Sequence, residues 1–178
     1  MKTVVIYKSE SGFTKKYAKW IAEELAADIF EYSYIKPSDL HYYDVVIFGG
    51  SLHAVGINGI DIIKTNLDAL EEKKVVVFAT GASPKREGIL EEVKNKNFTT
   101  AEQKRIAFFY LRGGFDYSKL TLKNKLLMNL MKWKIKMKKP EDRTPDEKGM
   151  LAAFSQPVDF TKKERAKELI DYVTAKRV

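Results

Sequence analysis

Two segments of the chain, Asp44-Val-Val-Ile-Phe-Gly49 and Lys74-Val-Val-Val-Phe-Ala-Thr80, are almost unbroken apolar runs rich in β-branched residues. A strand with one face in water alternates apolar and polar side chains. A strand apolar on both faces must be covered on both, as in a parallel sheet flanked by helices. Five strand candidates follow: 3–7, 28–35, 44–49, 74–80 and 105–111. Helical patterns lie between them. Residues 14–27 carry Tyr17, Ala18, Ile21 and Leu25 on one stripe, residues 57–70 carry Ile60, Ile63, Leu67 and Leu70, and a shorter helix is expected over 87–95. Alternating strand and helix implies right-handed crossovers and a doubly wound, five-stranded parallel α/β sheet.

Thr161-Lys-Lys-Glu164 reads as a capping box with Phe160 as its staple, opening a last helix on Ala166, Leu169, Ile170 and Val173. Residues 113–159 do not fit the alternation and form an insertion before that helix. Within it, Leu120 to Met131 looks helical. Met131 to Met137 also alternates with period two, so strand stays open beside the favoured helix. Lys139 to Pro145 reads as a polar loop. The 178 residues suffice for one domain with a sizeable core, and a single domain over 1–178 is expected.

The turn after the first strand, Ser9-Glu-Ser-Gly-Phe-Thr14, holds three hydroxyls and a glycine. In an open parallel sheet, ligands bind outside the carboxyl ends of the strands where strand order reverses, and this turn lies there. Its N–H groups meet the start of a helix, which favours an anion. Gly12 lets the backbone close around it, and Ser9, Ser11 and Thr14 can donate hydroxyls. The residues point to a phosphate cradle, against the plainer alternative of a helix start that is simply rich in Ser and Thr. The spacing is neither that of a Walker loop nor that of the Gly-x-Gly-x-x-Gly dinucleotide turn.

Ser9-x-Ser11-Gly12-x-Thr14 resembles the phosphate loop of flavodoxin-like proteins. Within them the chain is most similar to the menaquinone-dependent protoporphyrinogen dehydrogenases (oxidases). The features are Val46-Ile-Phe-Gly-Gly-Ser-Leu-His53, Leu111-Arg-Gly-Gly-Phe-Asp-Tyr117 and the Lys- and Met-rich Leu126 to Trp133. The resemblance implies a flavodoxin-like fold with strand order 2-1-3-4-5 and FMN as cofactor. It implies binding by Ser9, Glu10, Ser11, Gly12, Phe13 and Thr14, by Ser51, Leu52 and His53 after the third strand, and by Thr80, Gly81 and Ala82 after the fourth. Neither of those two later loops has an aromatic residue except His53, which leaves one face of the flavin ring open to a substrate. Phe115, Asp116 and Tyr117 border the flavin or form a packed turn, the turn being favoured. His41 reads as a surface residue. Two histidines and no cysteine offer no metal-ligand cluster, and the lack of cysteine excludes disulfides and a catalytic thiol.

The net charge of +8 is uneven. Residues 1–112 hold 16 Lys and Arg against 15 Asp and Glu, while residues 113–178 hold 16 against 9. Ser118 to Lys139 has eight lysines and no acid, interleaved with Leu, Met, Ile and Trp. Three readings stay open for it: a solvated face of a packed insertion, a peripheral contact with an anionic membrane, or a receiver for an acidic partner or substrate. No nucleic-acid recognition motif is present, and nucleic acid is not expected as a partner. No run reaches the length of a membrane span, and the first apolar run is too short for a signal peptide, so a cytoplasmic protein is expected, with a peripheral place on the inner face of the membrane left open.

The function expected from the resemblance is an FMN-dependent oxidoreductase, with protoporphyrinogen as substrate and a quinone as acceptor. A flavodoxin-type electron carrier without its own substrate is the alternative, and a non-redox binding module the third. Positive charge near the flavin would favour its reduced form, so a two-electron potential above that of a low-potential carrier is expected.

Overall fold

The computed structural model of the chain describes residues 1–84 and 88–175. A parallel sheet is built from β1 (Thr3–Lys8), β2 (Asp28–Glu31), β3 (Val45–His53), β5 (Lys74–Gly81) and β6 (Ile106–Arg112). The order is β2-β1-β3-β5-β6. A two-residue β4 (Gly56–Ile57) hangs antiparallel on the end of β3. With β4 set aside, this is the expected flavodoxin-like order 2-1-3-4-5.

The double-sided apolar runs have their cause in this arrangement. Val4, Val46, Val75 and Phe48 face one layer, where Ile62, Ile63 and Val93 cover them. Val5, Val45, Ile47, Val76 and Phe78 face the other, under Tyr17, Ala18 and Ile21 of α1 (Phe13–Leu25) and Leu169 and Val173 of α7 (Lys167–Thr174). Each such fully buried aliphatic side chain is worth about 1.5–3 kcal/mol of transfer free energy.

Several expected elements differ. The strand at 28–35 stops at Glu31, because β2 is an edge strand and the Glu31 carboxylate accepts from Ser33 N–H at 3.0 Å, turning Tyr32–Tyr34 into a 3-10 turn. The helix expected over 57–70 is broken. Ile57 pairs with Leu52, Gly59 takes φ +79°, α2 keeps only Asp61–Lys64, and Thr65 and Asn66 bond back to the carbonyls of Asp61 and Ile62. The third helix forms as α3 (Ile89–Asn97), and Glu87 lies outside the described residues. A helix not expected, α4 (Thr100–Arg105), follows behind a Thr99/Glu102 capping box.

The capping box expected at Thr161 and Glu164 does not form. Thr161 instead donates its hydroxyl to Asp159 at 2.7 Å, and the helix opens as a 3-10 turn over Lys163–Ala166 before α7. Phe160 lies under the Arg112 guanidinium, 3.7 Å from the ring centroid.

The insertion is clamped at its base by β7 (Gly114–Phe115) pairing antiparallel with β8 (Val158–Asp159). Between them run α5 (Leu122–Met137) and α6 (Pro145–Ala153). The stretch Met131 to Met137 is therefore helical. Arg143 closes the end of α5 by donating to the carbonyls of Ile135, Lys136 and Lys138. The expected polar loop ends at Thr144, whose capping box with Glu147 starts α6 with Pro145 in its first turn.

Candidate functional site

The carboxyl ends of β1, β3 and β5 open into a cavity of about 610 Å³. Of the residues expected there, Ser9, Glu10, Ser11, Phe13, Thr14, Ser51, Leu52, His53, Thr80, Gly81 and Ala82 line it. Gly12 does not. It caps α1 with φ +91°, a conformation that favours glycine, and a Cβ added to it would meet nothing within 4 Å. Ser51, Leu52 and His53 lie in β3 itself, which runs four residues past the expected end at Gly49.

The start of α1 faces the cavity without a capping side chain. Gly12 N–H bonds Ser9 Oγ at 3.1 Å, and the first helical bond runs from Lys16 N–H to Gly12 O. The N–H groups of Phe13, Thr14 and Lys15 thus have no partner inside the helix. Thr14 Oγ1 lies 2.5 Å from Thr80 Oγ1, which joins the first loop to the end of β5. The next loop is held from outside: Tyr110 donates to Ser83 O at 2.8 Å and Arg112 to Ala82 O at 3.2 Å.

Glu10 turns away from the helix start. Its carboxylate accepts from Thr121 N–H at 2.9 Å and from the Asn124 amide at 2.8 and 2.9 Å, and it lies 3.2 Å from His53 Nε2. Burial pushes its pKa up, but the Thr121 and Asn124 bonds and the charge of His53 outweigh that, and the net shift is below the ordinary carboxylate value. Asn124 Nδ2 also lies 3.1 Å from His53 Nδ1. One acid of the first loop therefore ties α5 and the end of β3 together.

The outer wall comes from the insertion. Leu120, Leu127, Met128 and Met131 reach in from around α5, and Met150 from α6. Sequence reasoning did not single these out. Their spacing, with Asn124 one turn earlier, marks an inward helix face distinct from the residues at 122, 126, 130, 133 and 137. Gly113 and Gly114 also line the cavity, and a Cβ on Gly114 would come within 2.6 Å of the Phe13 ring.

Of the trio after β6, only Phe115 borders the cavity. Asp116 is buried and caps a 3-10 turn by accepting from Ser118 N–H and Oγ, and the Ser118 hydroxyl is the main reason its pKa is lowered. Tyr117 packs on Phe154. His41 is exposed, beside Tyr42. Among the described residues, no lysine or arginine lines the cavity. The described lysines of the insertion stand off its walls, so their effect on a bound flavin is long-range and screened.

Residues 4–143 match the family described as flavodoxin domain. An uncharacterized protein of Methanocaldococcus jannaschii is 36% identical over 87 residues, covering 47% of this chain and 57% of that protein. The chain therefore spans about 57% of the length of the curated relative it matches. Among solved structures, flavodoxin 1 of Bacillus cereus is 22% identical, with a TM-score of 0.46 over 63% of this chain and 84% of its own. A flavodoxin from the domain Archaea is 19% identical, with a TM-score of 0.42 over 62% and 85%. A flavoprotein of Lactobacillus acidophilus, solved in complex with FMN, is 19% identical, with a TM-score of 0.42 over 62% and 91%.

Proposed function

The chain belongs to the flavodoxin domain family, and on that premise we propose that it is an FMN-dependent oxidoreductase whose organic substrate shares the flavin cavity. The residues fit the cofactor. The uncapped start of α1 offers free N–H groups to a phosphate, beside the hydroxyls of Ser9, Ser11 and Thr14. Gly12 holds the turn open, since no side chain occupies the space above it. Ser51, Leu52 and His53 on one side and Thr80, Gly81 and Ala82 on the other would flank the ring. FMN, when bound, supplies two-electron redox chemistry, and the protein orients it and limits access.

The observation that carries the enzyme reading is the apolar wall that Leu127, Met128 and Met131 give the cavity. A wall of flexible thioether and leucine side chains accommodates a large apolar molecule. The resemblance makes protoporphyrinogen the specific donor we propose and a quinone the acceptor, each two-electron step reducing one quinone to its quinol.

An electron carrier is the second reading. It is favoured by the exposure of Leu127 and Met131 at the mouth of the cavity, 54% and 37%, which leaves a path to a protein partner.

The deciding experiment supplies the FMN-loaded protein, without oxygen, with protoporphyrinogen and a soluble quinone, and follows porphyrin fluorescence. Quinone-dependent porphyrin formation above the protein-free rate is expected. Electron exchange with a flavodoxin reductase but no turnover of any offered substrate would instead favour the carrier.

A further inference from the structure

A helix on the surface of a protein ordinarily turns its apolar stripe inward. α5 has a second one turned out. Leu122, Leu126, Leu130, Trp133 and Met137 are each between 56% and 86% exposed. At 100° per residue these five positions fall within an arc of ~80°. The inward face is a different set, with Met128 and Met131 on the cavity and Ile135 buried.

The stripe is bordered by positive charge. Lys123 and Lys134 follow it around one side of the helix and Lys136 around the other, and all three are exposed. Among the described residues none of the three has an ion pair, nor has Lys139 at the end of the helix. No acidic residue occurs between Ser118 and Lys139. A contiguous apolar stripe of this kind on a surface marks an interaction site.

We propose that α5 lies flat in the headgroup region of an anionic lipid bilayer, with Leu122, Leu126, Leu130, Trp133 and Met137 inserted and Lys123, Lys134 and Lys136 meeting the headgroups. The chemistry fits at both ends of the side chains. Leu and Met reach the acyl boundary, Trp133 suits the interface, and lysines gain from anionic lipid within a Debye length. Sixteen helical residues reach ~24 Å, enough for an interfacial element and too short and too charged to span. Among the described residues no helix is long and apolar enough to cross a membrane. The inference stands on the outer face of α5 and does not require FMN in the cavity.

The test is co-sedimentation of the full chain with vesicles of phosphatidylglycerol in phosphatidylcholine, against phosphatidylcholine alone, at low and high salt. Binding to the anionic vesicles is expected, falling steeply with salt. Lys123→Gln/Lys134→Gln/Lys136→Gln should weaken it about a hundredfold, from about 1 kcal/mol per lysine. Leu126→Ser/Leu130→Ser/Trp133→Ser should weaken it at least about tenfold. The substituted side chains are exposed, so the far-ultraviolet circular dichroism should not change. In a Trp20→Phe background, brominated lipid should quench the emission of Trp133. Three results would overturn the proposal: no binding to anionic vesicles at low salt, an unquenched Trp133, or a dimer that the apolar triple variant dissolves. The last would assign the stripe to a second copy of the chain.

Discussion

Thr14 Oγ1 and Thr80 Oγ1 lie 2.5 Å apart in the floor of the cavity, each side chain almost wholly buried. A hydroxyl has one proton to give and two lone pairs to accept with. If Thr80 donates to Thr14, the Thr14 proton is free for an anion at the start of α1. The pair then serves as a relay of direction: β5 sets which way the first loop presents its hydroxyl. Thr14→Val should weaken FMN binding about tenfold or more, since it removes the donor itself. Thr80→Val should weaken it less and cost about 1–2 kcal/mol of stability, because Thr14 keeps its proton but loses its orientation. Flavin fluorescence titration and denaturant midpoints measure both. Equal loss of affinity in the two variants would remove the directional argument.

Glu10 gives a pH dependence of defined sign. Its folded pKa lies below the ordinary value of 4.5. The stabilisation from Thr121, Asn124 and His53 is therefore full above that value and is lost as pH falls through the folded pKa. Loosening of α5 in acid should precede loss of the sheet. Amide exchange at Thr121 to Asn124 should rise first. Glu10→Gln should bring that loosening to neutral pH, at a cost of about 1–2 kcal/mol for a charged acceptor. Unchanged exchange in Glu10→Gln would mean that the insertion is held by its apolar contacts alone.

The sheet was legible because its cause is local. Val45 to Phe48 and Val75 to Phe78 are buried on both faces, and a run with no polar position has few other places to go. The place of the first loop on the cavity was legible because Ser9, Glu10, Ser11, Phe13 and Thr14 are close in sequence and follow directly on β1. The broken helix at 57–70 was not, because its apolar spacing is helical and what overrides it is distant. Ile57 N–H bonds the side chain of Asn97, forty residues on. The outer wall was hidden for the same reason. The residues that choose which face of α5 turns inward are Glu10 and His53, far away in the chain. The capping signal at Thr161 misled, since Asp159, two residues back, takes its hydroxyl. The equivalent pair at Thr144 and Glu147 does form its capping box.

Asn97 is the buried fastener of the hairpin that carries His53. Its amide accepts from Ile57 N–H at 2.8 Å and donates to Val55 O and Val93 O at 2.7 and 2.6 Å. Asn97→Leu keeps the volume but leaves Ile57 N–H and Val55 O without their partner, while Val93 O keeps its helical bond from the backbone of residue 97. A loss of about 3 kcal/mol is expected in urea denaturation, with faster amide exchange at Ile57. A change under about 0.5 kcal/mol would show that water replaces the amide there.

Gly114 sits where Phe13 and the β7–β8 clamp meet. A methyl group there would come within 2.6 Å of the Phe13 ring and closer still to the Val158 carbonyl. The ring can swing away into the cavity, but the backbone of β8 cannot yield as easily. Gly114→Ala should therefore cost about 1–3 kcal/mol and push Phe13 toward the flavin space. Affinity for FMN should fall together with stability. Stability lost with full affinity retained would mean that the clamp gives way and Phe13 stays.

Met128 and Met131 separate the enzyme from the carrier most directly. Both line the cavity from α5, one and two turns beyond Asn124, and neither is among the cradle residues Ser9, Ser11 and Thr14. Met128→Ala/Met131→Ala should leave FMN affinity within about twofold, because the phosphate contacts are untouched. It should raise the KM for an apolar substrate about tenfold or more, since each truncation removes up to about 1 kcal/mol or more of burial. The rate of electron exchange with a protein partner should hold steady or rise, as the mouth of the cavity widens. If KM stays constant for every substrate turned over while partner exchange slows, the methionines face a docking protein rather than a substrate, and the enzyme reading fails.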